Sequence, residues 1–502
     1  MKVYVTLAGF AFAVLAGAAV WFGGLNQDEG WYLYAANLVA DGQVPYRDFF
    51  YTQGPLLPLV YSVFTPVWKM FGLLGARVFT CGIGLLAALF AATLARLLVP
   101  AERRGAAGVI AFMLLGCNLY HIYYTTIPKT YALAALFAMM GFYLLACAFT
   151  ELGSRWRKTI LFAAGLSLAF AAGARISLGA LLGASGLCLL CSFKRNGWAF
   201  LWFGLGGAVG LAAVYGPFLA SDAARAGLLA AQRYHAARGG FDPVFTVGSV
   251  SRLVRWYLPV FVLFGYAVFA APWRFLSRKE PASHSPARRI TVPALLWSFL
   301  AVFVVQMLAP FPYEDYNVPI MGLLAVVAAV FLAETDLAPK CLLALGLTWA
   351  CSFGSPLLET WMTNGQDRFW SLKKEKSELA QLRDVARVIE AVDPDGKTIL
   401  TQDTYLAIET RRKVPKGLEM GPFSMLTDAE WRELLSTCDA PVAALSGYTF
   451  AVNPPVCDER DWSQQKAYWE ILRGRYDLVM REEAFGQHAT PLLILTRKES
   501  EE

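Results

Sequence analysis

Two adjacent acids, Asp28 and Glu29, stand directly after the first apolar segment, and four cations, Arg47, Lys129, Arg175 and Arg233, fall at the ends of other segments. A carboxylate can take the proton of an attacking hydroxyl, and guanidinium or ammonium groups hold phosphate oxygens through charge-assisted hydrogen bonds. Each residue also has a plainer reading. Asp28 or Asn26 can cap the helix that follows, and a single cation at a helix end commonly snorkels to the interface. Adjacent helical residues point about 100° apart, so Asp28 and Glu29 cannot both aim at one reacting atom; one can do chemistry while the other caps or braces. Arg175 lies between two apolar segments with almost no loop, where an unpaired charge is costly.

With 57% of 502 residues hydrophobic and only 16% charged, the chain positioning these groups has the composition of an integral membrane protein. Its long unbroken apolar runs are helical, not the alternating strands of a barrel. Eleven spans are expected, at 3–24, 73–98, 106–124, 130–149, 159–173, 176–192, 197–219, 254–273, 292–309, 317–333 and 340–357. Lys2, Arg103 and Arg104, Arg155 to Lys158, Lys194 and Arg195, and the loop from Arg274 to Arg289 then share one side, the cytoplasmic one by the positive-inside rule. Pro55 to Phe71 is read as an interfacial or re-entrant element, because counting it as a span would invert every later basic loop. The basic clusters thus report orientation, and no nucleic-acid partner is expected.

The large elements then face outward: a first loop (26–71), a middle loop (220–252) and the tail. In the first loop Trp31, Tyr34, Ala35 and Leu38 line one face of a helix ending at Gly42, expected along the bilayer surface. Residues 1–359 form a membrane domain, and 360–502 an outward-facing soluble α/β domain. There Trp370 to Val392, Asp428 to Ser436 and Ser463 to Arg473 read as helical, and Thr398 to Thr401, Val442 to Leu445, Leu478 to Arg481 and Leu492 to Thr496 as β-rich. Cys438 and Cys457 can form a disulfide in an oxidising compartment or remain two buried thiols. Asp393-Pro394-Asp395-Gly396 has a D-x-D form but reads as a turn. The four scattered His allow no Cys/His zinc spacing.

Together these residues resemble the polyprenol-dependent membrane glycosyltransferases of the GT-C type. Within them the chain is most similar to the bacterial branch of aminoarabinose transferases, protein O-mannosyltransferases and rhizobial galacturonosyltransferases. The match is carried by Asp28 and Glu29, by Asp41 and Gly42 closing the helix, by Pro45, Tyr46, Arg47, Asp48, Phe49 and Phe50, and by Gly54, Pro55 and Leu56. The resemblance implies an α-helical polytopic protein of about eleven transmembrane helices, multi-pass in the cytoplasmic (inner) membrane, with its C-terminal α/β domain outside. It implies inverting transfer of a sugar from a polyprenyl-phosphate-linked donor to a lipid, polysaccharide or protein acceptor on the outer face. Asp28 is then the general base or acceptor-orienting group and Arg175 meets the leaving phosphate. Arg233 is a second donor contact, with Lys129 and Arg47 as further phosphate candidates and Tyr46, Asp48 and Gln53 as other first-loop site residues.

The chain also departs from this pattern. Many relatives carry a second acid in the loop that here reads TTIPKTY, where this chain has Lys129, so a divalent metal bridging two acids is not expected. Gln53-Gly54-Pro55 replaces the aminoarabinose-type Lys-Pro and removes one phosphate ligand. The later PFPYEDYNVP matches in Tyr316 and Pro319 and leaves Glu314 and Asp315 unassigned. The alternative function, a transporter or flippase of a lipid-linked sugar, predicts inverted repeats and ionisable groups deep within spans. No repeat is visible, and the ionisable residues collect at outer helix ends.

Overall fold

In a bilayer every backbone polar group must be satisfied within the segment, so apolar runs of about 20 residues fold as helices. The computed structural model describes residues 2–151, 153–237, 239–270, 285–335, 376–450 and 462–498. The chain runs through α1 (Lys2–Phe22), α2 (Gln27–Ala40), α3 (Leu56–Ser62), α4 (Thr65–Leu97), α5 (Arg104–Gly116), α6 (Leu119–Thr126), α7 (Thr130–Cys147) and α8 (Arg157–Ala174). Helices at Gly179–Cys191, Ala199–Leu219, Asp222–Ala237, Pro243–Trp256, Leu258–Ala270, Pro286–Met307 and Met321–Ala333 follow. Among the described residues seven helices are long and apolar enough to cross a membrane, or nine if each of two bent pairs is one span. The chain is a multi-pass membrane protein.

The bends have local causes. The span expected at 106–124 breaks near Cys117, where Asn118 starts a new helix by accepting the His121 amide at 3.0 Å, and the two parts meet at 68°. The run expected at 176–192 is a shorter apolar helix, opened by a single 3-10 turn at Ile176–Leu178. The span expected at 340–357 lies outside the described residues, as does most of the basic loop from Arg274. Cys457 lies there too, so the expected pairing with the buried Cys438 falls outside the description.

Pro55 to Phe71, expected at the interface, holds α3 and the first turns of α4. At Gly72 the backbone (φ 63°, ψ −155°) breaks α4 into two helices. Glycine alone enters that region at little cost. The Leu73 amide, next along, donates to Glu409 of the tail at 2.8 Å.

The tail forms a four-stranded sheet. β1 (Ile399–Leu400) runs parallel to β2 (Val442–Ser446), which pairs antiparallel with β4 (Thr490–Arg497), itself antiparallel to β3 (Tyr476–Phe485). Each expected β-rich run overlaps one of these strands, and the expected helices appear at Glu378–Val392, Asp428–Thr437 and Trp462–Arg475, with 370–375 of the first outside the described residues. The helix Thr404–Glu409 was not expected, since six residues are too few to show a period. The D-x-D stretch is a turn whose Asp393 pairs with Arg412.

That short helix covers α2, the helix expected along the bilayer surface, which is buried from Glu29 to Ala36 and at Leu38. The tail covers the side that the residue pattern left open. Gly30 approaches so closely that a Cβ would lie 2.3 Å from the Tyr405 nitrogen, and the Tyr34 hydroxyl accepts the Val414 amide at 3.0 Å.

Gly72→Ala is expected to destabilise the protein by about 1–3 kcal/mol, because a Cβ must enter a glycine-only backbone region and would lie 2.3 Å from the Glu409 carboxylate. Gly82→Ala, in the same helix with nothing within 4 Å of the added carbon, should leave the midpoint unchanged in thermal unfolding of the purified protein. Equal midpoints for the two variants would refute the role given to the kink.

Candidate active site

The acidic pair is sorted by the helix it opens. Asn26 is the N-cap: its Oδ1 accepts the Asp28 amide at 3.0 Å, and the Asn26 amide donates to Glu29 Oε1 at 3.0 Å, completing a capping box. Asp28 is thereby free of the capping role. The 100° step between neighbours turns Glu29 into the protein, where it meets Arg77 of α4 through two bonds, Nε–Oε2 at 2.7 Å and Nη2–Oε1 at 2.6 Å. Both side chains are wholly buried.

Asp28 points the other way. Its Oδ1 accepts the Trp31 indole N–H at 3.0 Å and its Oδ2 pairs with Lys129 Nζ at 2.8 Å. Lys129 precedes α7 in extended conformation (φ −140°, ψ 166°) and also donates to Asp315 Oδ2 at 3.0 Å. The same oxygen accepts the Tyr131 hydroxyl at 2.9 Å. Burial alone would push the Lys129 ammonium down, but the charges of Asp28 and Asp315 outweigh it and hold its pKa well above the ordinary lysine value.

Arg175 is the extended residue between α8 and the 3-10 turn. Only 9% exposed, its guanidinium lies 5.0 Å from the Tyr131 ring centre and 4.3 Å from that of Tyr316. Its Nε reaches no acceptor, and no acid pairs with it among the described residues. Asn317, the residue after Tyr316, is fully buried, and neither of its amide atoms meets a partner among the described residues. Tyr32, buried on α2, lies in the field of the whole group: burial and then Asp28 push its phenol up, while Lys129 and Arg175 pull it down.

The structure therefore brings Asp28, Lys129 and Arg175 together and leaves the other candidates elsewhere. Arg47 is half-exposed and bridges its neighbour Asp48 at 2.8 Å, while Asp48 accepts the Val44 amide. Tyr46, at φ 67°, donates its hydroxyl to the Gln53 carbonyl. Arg233 is exposed on its helix. Of the four candidate cations, Lys129 and Arg175 lie in the cluster, whereas Arg47 and Arg233 sit on segments whose sides turn to the surface.

Arg47 and Asp48 line a cleft of about 660 Å³ shared with Lys416, Glu419 and Phe423 of the tail. The Phe423 ring meets Trp31 edge-on at 6.4 Å, linking the cleft to the indole that holds Asp28. Among the described residues no group of three or more His, Cys, Asp or Glu is placed to hold a metal ion.

No family model matches the chain, and no curated protein matches it by sequence. Solved structures do match in shape. ArnT, an aminoarabinose transferase, from Cupriavidus metallidurans in its apo state gives a TM-score of 0.66 at 14% identity over 98% of both chains. The same protein bound to undecaprenyl phosphate gives 0.60 at 13%, over 99% of this chain and 98% of that one. The chain has the GT-C fold. A more distant GT-C likeness is the Archaeoglobus fulgidus oligosaccharyltransferase tethered to an acceptor peptide, with a TM-score of 0.50 at 12% identity over 96% of this chain and 74% of its own.

Within this GT-C frame, the sequence pointed to Tyr316 and left Asp315 without a role, and it passed over Tyr131, Tyr32 and Arg77. Arg77 carried a legible signal, since an arginine inside an apolar span requires a buried partner. Asp315 carried none, because 186 residues separate it from Lys129.

Glu29→Gln is expected to cost about 3–5 kcal/mol by leaving Arg77 charged, buried and without its counter-ion, whereas Asp28→Asn should leave the unfolding midpoint near that of the wild type. The two thermal profiles, recorded side by side, check the assignment; a stable Glu29→Gln protein would contradict it.

Proposed function

We propose that this chain transfers a sugar, with inversion, from a polyprenyl-phosphate donor to an acceptor at the outer face of the inner membrane. The observation that carries the reading is Arg175, a guanidinium nine-tenths buried without an acid partner among the described residues, in the same cluster as a carboxylate that caps nothing. An unpaired buried charge is costly, and two tyrosine faces offset about 0.5–2 kcal/mol each. An incoming phosphate supplies the missing counter-charge. The likeness in fold to a protein seen with undecaprenyl phosphate supports the same ligand class.

In the proposed reaction the acceptor hydroxyl oxygen attacks the anomeric carbon from the side opposite the phosphate. The bond between that carbon and the phosphate oxygen breaks, and the lipid phosphate keeps the electron pair. Its developing charge faces Arg175, preorganised by Tyr131 and Tyr316. The hydroxyl proton passes to Asp28, whose two oxygens are oriented by Trp31 and Lys129. The acceptor is proposed to approach through the cleft between first loop and tail. On this reading 1–359 is the transferase domain and 360–502 its outward-facing partner.

With purified protein, a polyprenyl-phosphate sugar and a hydroxyl acceptor, Asp28→Asn should lower transfer by about 10²–10⁴ while donor binding is retained. Arg175→Ala should instead weaken donor binding, and Arg175→Lys should recover only part of it if the contact is bidentate. Near-full transfer by Asp28→Asn, or unchanged donor binding by Arg175→Ala, would overturn the mechanism.

A further inference from the structure

Lys129 is engaged by two carboxylates at once, in an arrangement the transfer chemistry does not by itself require. Its Nζ lies 2.8 Å from Asp28 Oδ2 and 3.0 Å from Asp315 Oδ2. The two acids come from opposite ends of the membrane half, one opening α2 and the other in the 3-10 segment Glu314–Ile320. Two like charges brought that close repel unless a cation stands between them. The Tyr131 hydroxyl locks the same oxygen of Asp315, and the Tyr124 and Tyr131 rings lie 5.5 and 4.8 Å from Nζ. The ammonium is thus buried and held from several sides.

A divalent ion would need those oxygens at about 2.0–2.6 Å, together with further ligands. The space it would take is filled by Nζ, whose charge opposes it, and no third His, Cys, Asp or Glu joins the pair among the described residues. The residues present do not fit a resident metal. We propose that Lys129 is a built-in cation that takes the place of a divalent ion between Asp28 and Asp315, so that this centre works without added metal and becomes metal-binding when the lysine is removed. Lys129 is then a positioning residue. It compensates Asp28, ties it to the Asp315 segment and leaves Arg175 as the cation open to the donor phosphate.

The inference rests on the proposed function for what Asp28 does, but not for its test, which reads metal binding. Mn²⁺ alone is titrated into the purified full-length protein in detergent, freed of metal by chelator, and followed by electron paramagnetic resonance and by thermal unfolding. The wild type should take up no stoichiometric Mn²⁺, and its unfolding midpoint should be the same with chelator and with millimolar Mn²⁺. Lys129→Asp, which places three carboxylates together, should bind one Mn²⁺ at least tenfold more tightly than the wild type, and adding Asp315→Asn should reverse the gain. If Lys129→Asp does not yield a monodisperse protein, Lys129→Ala is read in the same way, with two carboxylates around a vacated space. One tightly bound Mn²⁺ in the wild type, lost in Asp28→Asn, would overturn the proposal, as would folded Lys129 variants that gain no Mn²⁺. In transfer assays the wild type should keep its rate in chelator, and loss of that rate restored by Mn²⁺ would equally overturn it. A wild type without transfer activity whose variants gain Mn²⁺ as described would refute the proposed function and leave this inference standing.

Discussion

One buried guanidinium sets the geometry on which the rest depends. Arg77 of α4 pairs with Glu29 and also donates to the carbonyls of Val20, Gly23 and Gly24. Those carbonyls lie at and beyond the end of α1, where a helix has no acceptor use for them and its dipole favours a cation. A single side chain thus ties the end of α1, the start of α2 and the body of α4. Burying two charges is worthwhile only when every hydrogen-bonding position is filled, and here Glu29 also takes the Asn26 amide. With Glu29 held inward, the helical step to its neighbour turns Asp28 toward Lys129.

The tail reinforces that arrangement at three points. Glu378 accepts the Leu25 amide at 2.6 Å, Glu409 accepts the Leu73 amide at 2.8 Å, and the Tyr34 hydroxyl accepts the Val414 amide. Two of these are tail carboxylates on backbone amides, one just before α2 and one at the kink of α4. Negative groups are favoured at helix N-termini, so docking of the tail and formation of the membrane helices support each other. Mutations in the tail can therefore act on the site without any contact with substrate.

In the cluster itself the charges divide unequally in their freedom. Lys129 is fully engaged by Asp28 and Asp315, while Arg175 rests between tyrosine rings. Aromatic faces hold a cation in place without neutralising it.

Much of this was legible in the residues alone. Apolar runs of spanning length dictate helices wherever backbone must be satisfied without water, and alternating β-rich runs dictate the sheet of the tail; both follow from short-range physics. A helix opening at Asn26 or Asp28 and ending at Gly42 was readable from its capping residues, as was the rule that Asp28 and Glu29 must diverge. Which of them turned inward was not. That was decided by Arg77, and the pairing of Lys129 with Asp315 by a contact across 186 residues. The burial of α2 under a six-residue helix and the isolation of Arg47 and Arg233 from the cluster were likewise tertiary outcomes. Periodicity and capping act within a few residues and leave a mark on the chain, whereas the partner of a buried charge is chosen by whichever distant segment packing brings within 3 Å, and that choice exists only once the helices are assembled.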